Sequence, residues 1–532
     1  MQLRRLFTVV ALVCWFSSVS AVSAQDRIGL RNLASARSFL LGTAAPIDLL
    51  RNNADNGNFP TVAAAEFNMI EPENDFKPPA LWLGENNYNF DRTDWLLGAP
   101  GQIGWAQSNG IAVRGHVLVY ARDDGYTIPN WLLQQEANID YGRAKQLLHD
   151  YIFDVAGRYK GKIAMWDVLN EAIADVPNNR PFNLRDSFWY RKLGTDFIKF
   201  AFQWAHEADP TAELYYNDYN IETPGRKFDS ALELIKWVRQ QGVEVTGMGL
   251  QYHLRVVDTI TPGDGHYQNV QRLRDENFQF MITELDVRMP VKAYAPSDPR
   301  FGLEPVNPAD LDKQANIFRA ALHMSLTMPN CHALNIWGFT DAHSWIPSTF
   351  AGAGAATIFT AAYEPKPAYW QMQEELGRNL PDGVYRLSAQ SDPHLFLGIA
   401  DLTKNSGRVA FYAGTSAAGK ARDAANRYNR QLWQLTWQND GTYRISPVVA
   451  PQQALFPFGK TWAPGRVQTQ LWSGSNNQEW IVTPHDDGTF RIAMRPAWWL
   501  VMNKSARQAA PRMTLPISTD SQAWNFEPQQ AQ

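Results

Sequence analysis

Residues 163–171, Ile163-Ala164-Met165-Trp166-Asp167-Val168-Leu169-Asn170-Glu171, form a short apolar run that stops on an amide and a carboxylate. Residues 278–286, Phe278-Gln279-Phe280-Met281-Ile282-Thr283-Glu284-Leu285-Asp286, repeat the pattern with a second carboxylate. Runs of this length suit buried strands. Eight of them occur between residues 26 and 375, at 39–44, 63–70, 112–119, 163–169, 212–216, 247–252, 278–283 and 332–339. Longer stretches separate them, and several carry helical spacing. Leu147, Leu148, Tyr151, Ile152 and Val155 recur at three and four residues. Strand–helix alternation repeated eight times predicts an α/β fold, a closed parallel (β/α)8 barrel. An open doubly wound sheet competes, but no glycine-rich phosphate turn follows the first run.

The polar residues fall at the ends of the runs: Glu73, Asn74 and Lys77; His116; Asn170 and Glu171; Asn217 and Asp218; Gln251 and His253; Glu284 and Asp286; Trp337. In such a barrel the C-terminal strand ends converge on one mouth. Buried carboxylates are costly, so this many at strand ends predicts a working cleft. Glu171 and Glu284 each follow an apolar run directly. Glycoside hydrolysis needs one carboxylic acid to protonate the leaving oxygen and one carboxylate to attack or to activate water. Asn170 is placed to bond a sugar hydroxyl beside the scissile bond. Glu284 and Asp286 share a face of an extended strand. His253 can bridge them and keep Glu284 ionised.

Composition narrows the field. Lys and Arg total 49 against 53 Asp and Glu, a net charge of −4, so no basic excess points to nucleic acid. The ten His lack the short spacings of metal sites, so neither metal nor cofactor is expected. The 20 Trp, 19 Tyr and 27 Phe offer flat apolar faces that suit sugars. Arg4 and Arg5, an apolar run over 6–16 and the small-residue ending Ala21-Val22-Ser23-Ala24 predict a signal peptide over residues 1–24. The expectation is a secreted or periplasmic protein, a monomer, with Cys331 its lone cysteine. After that segment no apolar run reaches the roughly 18 residues that span a bilayer.

After Gly377 short strands and turns take over. Asp382-Gly383, Asp440-Gly441 and Asp487-Gly488 each precede an alternating strand. Gln431-Leu432-Trp433, Gln478-Glu479-Trp480 and Gln522-Ala523-Trp524 close the units at spacings of 47 and 44 residues, a repeat whose Trp residues are expected to meet at a shared axis. Residues 413–430, rich in Ala, Asn and Arg, look like an exposed insertion.

Two resemblances organise these motifs. Trp166-Asp167-Val168-Leu169-Asn170-Glu171-Ala172 resembles the acid/base motif of glycoside hydrolase family 10, the retaining endo-β-1,4-xylanases. Ile282-Thr283-Glu284-Leu285-Asp286-Val287 is similar to its nucleophile motif. In order with them come Glu71-Pro72-Glu73-Asn74-Asp75-Phe76-Lys77, Arg114-Gly115-His116, Asn217-Asp218-Tyr219-Asn220, Gln251-Tyr252-His253 and Trp337-Gly338-Phe339 with Ser344-Trp345. The resemblance implies that Glu171 is the acid/base and Glu284 the nucleophile, with His253 and Asp286 orienting Glu284. It implies that Glu73, Asn74, Lys77, His116, Asn170 and Gln251 bond the glycone sugars, and that Trp337 and Trp345 wall the cleavage point. The implied partner is xylan or a related β-1,4-linked plant polysaccharide. The region after 377 resembles a ricin B-type β-trefoil, with catalytic domain 25–376 and trefoil 381–528. The Asp slots through which many such modules bind sugar are empty in segments 394–400, 453–458 and 498–502.

The chain departs from the family at Val117-Leu118-Val119-Tyr120-Ala121, where Thr-Leu-Val-Trp-His is usual, and an inserted-looking loop, 122–127, follows. Tyr120 keeps a second reading open, β-1,4-glucan or mixed-linkage glucan as substrate. A third, a non-catalytic glycan-binding protein, is opposed by the intact Glu171 and Glu284.

Overall fold

The computed structural model describes residues 29–380, 382–413, 428–438, 442–458, 466–475, 478–484, 489–494, 497–503, 512–514 and 523–529. The expected signal peptide, most of the insertion at 413–430, the second and third Asp-Gly pairs and Gln522 lie outside these residues. No helix among the described residues is long and apolar enough to cross a membrane.

Eight parallel strands close on themselves. They are β1 (Leu40–Ala44), β2 (Met69–Glu71), β3 (Ala112–Tyr120), β4 (Met165–Asn170), β5 (Glu213–Asp218), β6 (Gly247–Leu250), β7 (Gln279–Pro290) and β8 (Ala333–Ile336). Each pairs with the next, and β1 pairs with β8 through Leu40↔Ala333 to Thr43↔Ile336, which seals the ring. The expected (β/α)8 barrel is present. The run at 63–70 is the exception to the expected strands. Its first half ends the helix Asn58–Glu66, and only Met69–Glu71 is strand. Ala63, Ala64 and Ala65 favour helix, and Glu66 and Asn68 break the apolar run before the strand proper begins.

The helices follow their apolar stripes. Helix α1 (Tyr141–Ala156) buries Ala144, Leu147, Leu148, Tyr151, Ile152 and Val155, and its N-cap Asp140 accepts from the Arg143 N–H at 2.8 Å. Inside the barrel floor Met69, Met165, Tyr215, Met281 and Ala333 pack together. The polar strand ends are thereby left to the opposite, C-terminal mouth.

Helix α2 (Pro367–Gly377) ends where a second body begins. Its strands are β9 (Gly383–Ala389), β10 (Asp392–Leu402), β11 (Ser406–Ala413), β12 (Trp433–Gln438), β13 (Thr442–Pro447), β14 (Gln453–Phe458), β15 (Arg466–Leu471), β16 (Glu479–Pro484), β17 (Phe490–Met494), β18 (Ala497–Asn503), β19 (Arg512–Thr514) and β20 (Trp524–Gln529). β9, β12, β13, β16, β17 and β20 pair in that order, all antiparallel, and β20 returns to β9. Three hairpins, β10–β11, β14–β15 and β18–β19, stand on this six-strand ring. The three closing tryptophans occupy one core and are fully buried. Each makes the same bond: the indole N–H of Trp433, Trp480 and Trp524 donates to the carbonyl of Leu397, Leu455 and Met502 at 2.9, 3.0 and 2.9 Å. The sequence repeat is therefore a repeat of packing.

The two bodies touch. Ile481 and Ala493 join the apolar core of the barrel side. The Tyr443 hydroxyl donates to the Leu380 carbonyl at 2.6 Å and accepts from the Leu380 N–H at 2.9 Å. Replacing Trp480 by Ala should cost about 3–5 kcal/mol and, by leaving the Leu455 carbonyl unpaired, should destabilise the second body first. Urea unfolding followed by far-UV circular dichroism checks this, and Trp480→Phe should cost less than Trp480→Ala.

Candidate active site

At the mouth, β4 delivers Glu171 and β7 delivers Glu284. Each residue is only 5% exposed. Both line one cleft of about 990 Å3. Glu73 and Glu171, just past their strand ends, hold left-handed backbones with φ of +50° and +52°. Such conformations cost energy in non-glycine residues and concentrate at functional sites.

Strand β7 outruns its barrel neighbours, and its extra length carries the chemistry. A short strand, His253–Arg255, pairs beside it, setting His253 opposite Asp286. The His253 ring spans two carboxylates, with Nδ1 2.8 Å from Asp286 Oδ2 and Nε2 3.2 Å from Glu284 Oε2. The Trp345 indole N–H donates to the same Asp286 oxygen at 2.8 Å. Asn217 donates to Glu284 Oε1 at 2.7 Å, and Thr283 donates to Asn217 at 2.7 Å. Burial alone would raise the Glu284 carboxyl. The His253 hydrogen bond, with the charges of His116, His253 and Arg114, reverses this and holds it at about 2. Burial works against the His253 imidazolium, but Asp286 and Glu284 lift it to about 10. At neutral pH Glu284 is an ionised carboxylate beside a cation.

Glu171 has a different environment. The Tyr120 hydroxyl donates to its Oε1 at 2.6 Å, Gln251 donates to the same oxygen at 3.2 Å, and the Arg122 guanidinium meets Oε2 at 3.1 Å. Burial, and then the Glu171 charge, push the Tyr120 hydroxyl well above the phenol range, so it remains a donor. Tyr120 thus fills the position of the expected tryptophan with a hydroxyl aimed at the carboxylate. Arg122 belongs to the loop at 122–127 and was not legible as a site residue; a single charge outside any periodic segment gives no signal. Asn217 escaped too, although its place at a strand end marked it.

The remaining expected residues surround this pair. Lys77 donates to Asn74 at 2.7 Å, and Asn74 donates to Glu73 at 3.1 Å. The loop reaches them through Tyr126, whose hydroxyl bonds Asn74 and whose ring faces Lys77 Nζ at 4.0 Å. His116 is 2% exposed, with Nδ1 2.7 Å from Asp167, and its ring meets Trp337 edge-on. Trp337 and Trp345 line the cleft on either side of His253. Asn170 accepts from Asn217 at 3.0 Å, and its buried amide Nδ2 has no partner among the described residues. A donor left open between two carboxylates suits a ligand oxygen. No cluster of His, Cys, Asp or Glu among the described residues could hold a metal ion.

A parallel barrel with two glutamates in unlike environments at its mouth defines a glycosidase type of site. Residues 29–375 match the family described as Glycosyl hydrolase family 10, and the chain belongs to that family. Endo-1,4-beta-xylanase B of Thermotoga neapolitana is 32% identical over 373 residues, 70% of this chain and 98% of that protein. Endo-1,4-beta-xylanase 5 of Pyricularia oryzae is 34% identical over 346 residues, 64% of this chain and 76% of that protein. The crystal structure of xylanase 10B from Thermotoga petrophila RKU-1 in complex with xylobiose superposes with a TM-score of 0.58 at 33% identity, over 66% of this chain and 97% of that one.

Folding raises His253 from 6.5 and lowers Glu284 from 4.5. Their contribution to stability is therefore complete between about pH 4.5 and 6.5. It is lost as pH rises toward about 10, where His253 gives up its proton, and as pH falls toward about 2, where Glu284 takes one. The gap in unfolding free energy between the parent and His253→Gln should be widest in that window and shrink on both sides. A gap that does not vary with pH contradicts the charge assignment.

Proposed function

We propose that this protein is an endo-1,4-β-xylanase that cleaves with retention of anomeric configuration. Glu284, held ionised, attacks the anomeric carbon of the sugar before the scissile bond. Glu171 gives its proton to the departing glycosidic oxygen. The Glu284–sugar ester is then broken by water, whose proton returns to Glu171. The observation that carries this reading is the His253 imidazolium between Asp286 and Glu284, which keeps Glu284 charged despite its burial. Asn170, with its open amide, meets the sugar hydroxyl next to the bond, and Glu73, Asn74 and Lys77 receive sugars on the glycone side. The names of the relatives support xylan as the substrate.

We further propose that residues 1–24 direct export, that the protein acts outside the cytoplasm as a monomer, and that the second body is a ricin B-type β-trefoil. The six-strand ring, three hairpins and three equivalent Trp bonds support that fold.

Proton NMR during digestion of xylo-oligosaccharides should show the β-anomer of the new reducing end first; an α-anomer first overturns retention. Glu284→Gln should lose about 10⁴-fold in turnover or more. Tyr120→Phe should slow xylan by several-fold and an aryl xyloside with a good leaving group far less, because only the former needs full protonation from Glu171.

A further inference from the structure

The ladder that sets His253 against Asp286 continues outward. Leu254 pairs with Val287, and Arg255 pairs with Arg288. Side chains alternate along a strand, so 253 and 255 share a face, as do 286 and 288. Arg255 and Arg288 stand opposite one another one step beyond the His253–Asp286 pair, about 6–7 Å along the strands, and both line the cleft that holds Glu171 and Glu284.

Like charges facing each other across a strand pair are destabilising. Arg255 is relieved by Asp258 at 3.0 Å. Among the described residues the Arg288 guanidinium has neither hydrogen-bond nor ion-pair partner, and it lies over the Phe350 ring at 4.1 Å. Burial, and less strongly the nearby Arg255, oppose its charge, while Asp286 and Asp258 favour it. A half-buried planar fork, backed by an aromatic ring and left unpaired at the cleft wall, is a receptor for a planar anion.

Its position selects the anion's carrier. In the eight-strand ring β6 lies four places from β2, diametrically across the mouth. Glu73 and Lys77 follow β2, whereas Arg255 and Arg288 belong to the ends of β6 and β7. A sugar chain that enters over Lys77 and passes between Glu171 and Glu284 meets Arg288 beyond the bond that breaks. We propose that Arg288, with Arg255 beside it, forms a subsite for a carboxylate carried by the substrate, a uronic-acid branch on the chain at the leaving-group side. This rests on the reading of Glu171 and Glu284 given above.

The test compares kcat/KM of the full-length protein on oligosaccharides of one backbone length, bearing either a uronic-acid branch or the same branch with its carboxyl reduced to an alcohol. In the parent the acidic substrate should be preferred. Arg288→Ala should lower the acid-to-neutral ratio roughly ten-fold or more, as expected for a lost charge-assisted pair. Arg288→Lys should recover part of it, and 0.5 M salt should shrink the parent's ratio. A ratio unchanged in Arg288→Ala, or a parent blind to the carboxyl, overturns the subsite. Glu284→Gln separates the two readings. It should abolish turnover of both substrates and still bind the acidic one more tightly by calorimetry. Turnover that survives in Glu284→Gln sinks the assignment of Glu284 as the attacking carboxylate instead, while the calorimetric preference continues to report on Arg288.

Discussion

One imidazolium between two buried carboxylates holds this site together. Glu284 and Asp286 are almost wholly out of water, and neither ion is affordable there alone. His253 bonds both and offsets one of the two charges, and Trp345 and Asn217 supply further bonds. The requirement explains the irregular length of β7. Barrel closure needs the strand only to about Leu285, but the extension to Pro290 gives the strand at 253–255 an edge to pair with. Placement of the histidine, the ionic state of Glu284 and the walls of the cleft all follow from that extra pairing.

Below the mouth lies a second polar layer. Arg114 and His116 both meet Asp167, and Glu71 is buried beside them with neither carboxyl oxygen bonded among the described residues. Burial raises the Glu71 carboxyl well above its usual range against the pull of Arg114, while the Arg114 and His116 charges lower that of Glu284. The cations of this layer favour the ionised form of Glu284 above them.

The barrel was readable because parallel strands buried on both faces are continuous apolar runs, and because the polar residues that end them cannot be accommodated elsewhere. The carboxylates, His253 and Asp286 were readable for the same reason, with period two fixing their common face. What escaped depended on loops or on competition between propensities. Residues 63–66 turned helical because three alanines outweigh an apolar run. Arg122 and Tyr126 reach Glu171 and Asn74 from a loop whose path no periodicity encodes. The Tyr120 substitution was visible, but its hydroxyl direction was set by the fold.

The clasp between Tyr443 and Leu380 has a mechanical consequence. A tether of a few residues would let the two bodies swing freely, yet here Leu380, three residues past α2, is already packed and bonded inside the smaller body, whose Ile481 and Ala493 pack on the barrel side. The short connection is thereby shortened further, and apolar contact rather than loose chain joins the two bodies.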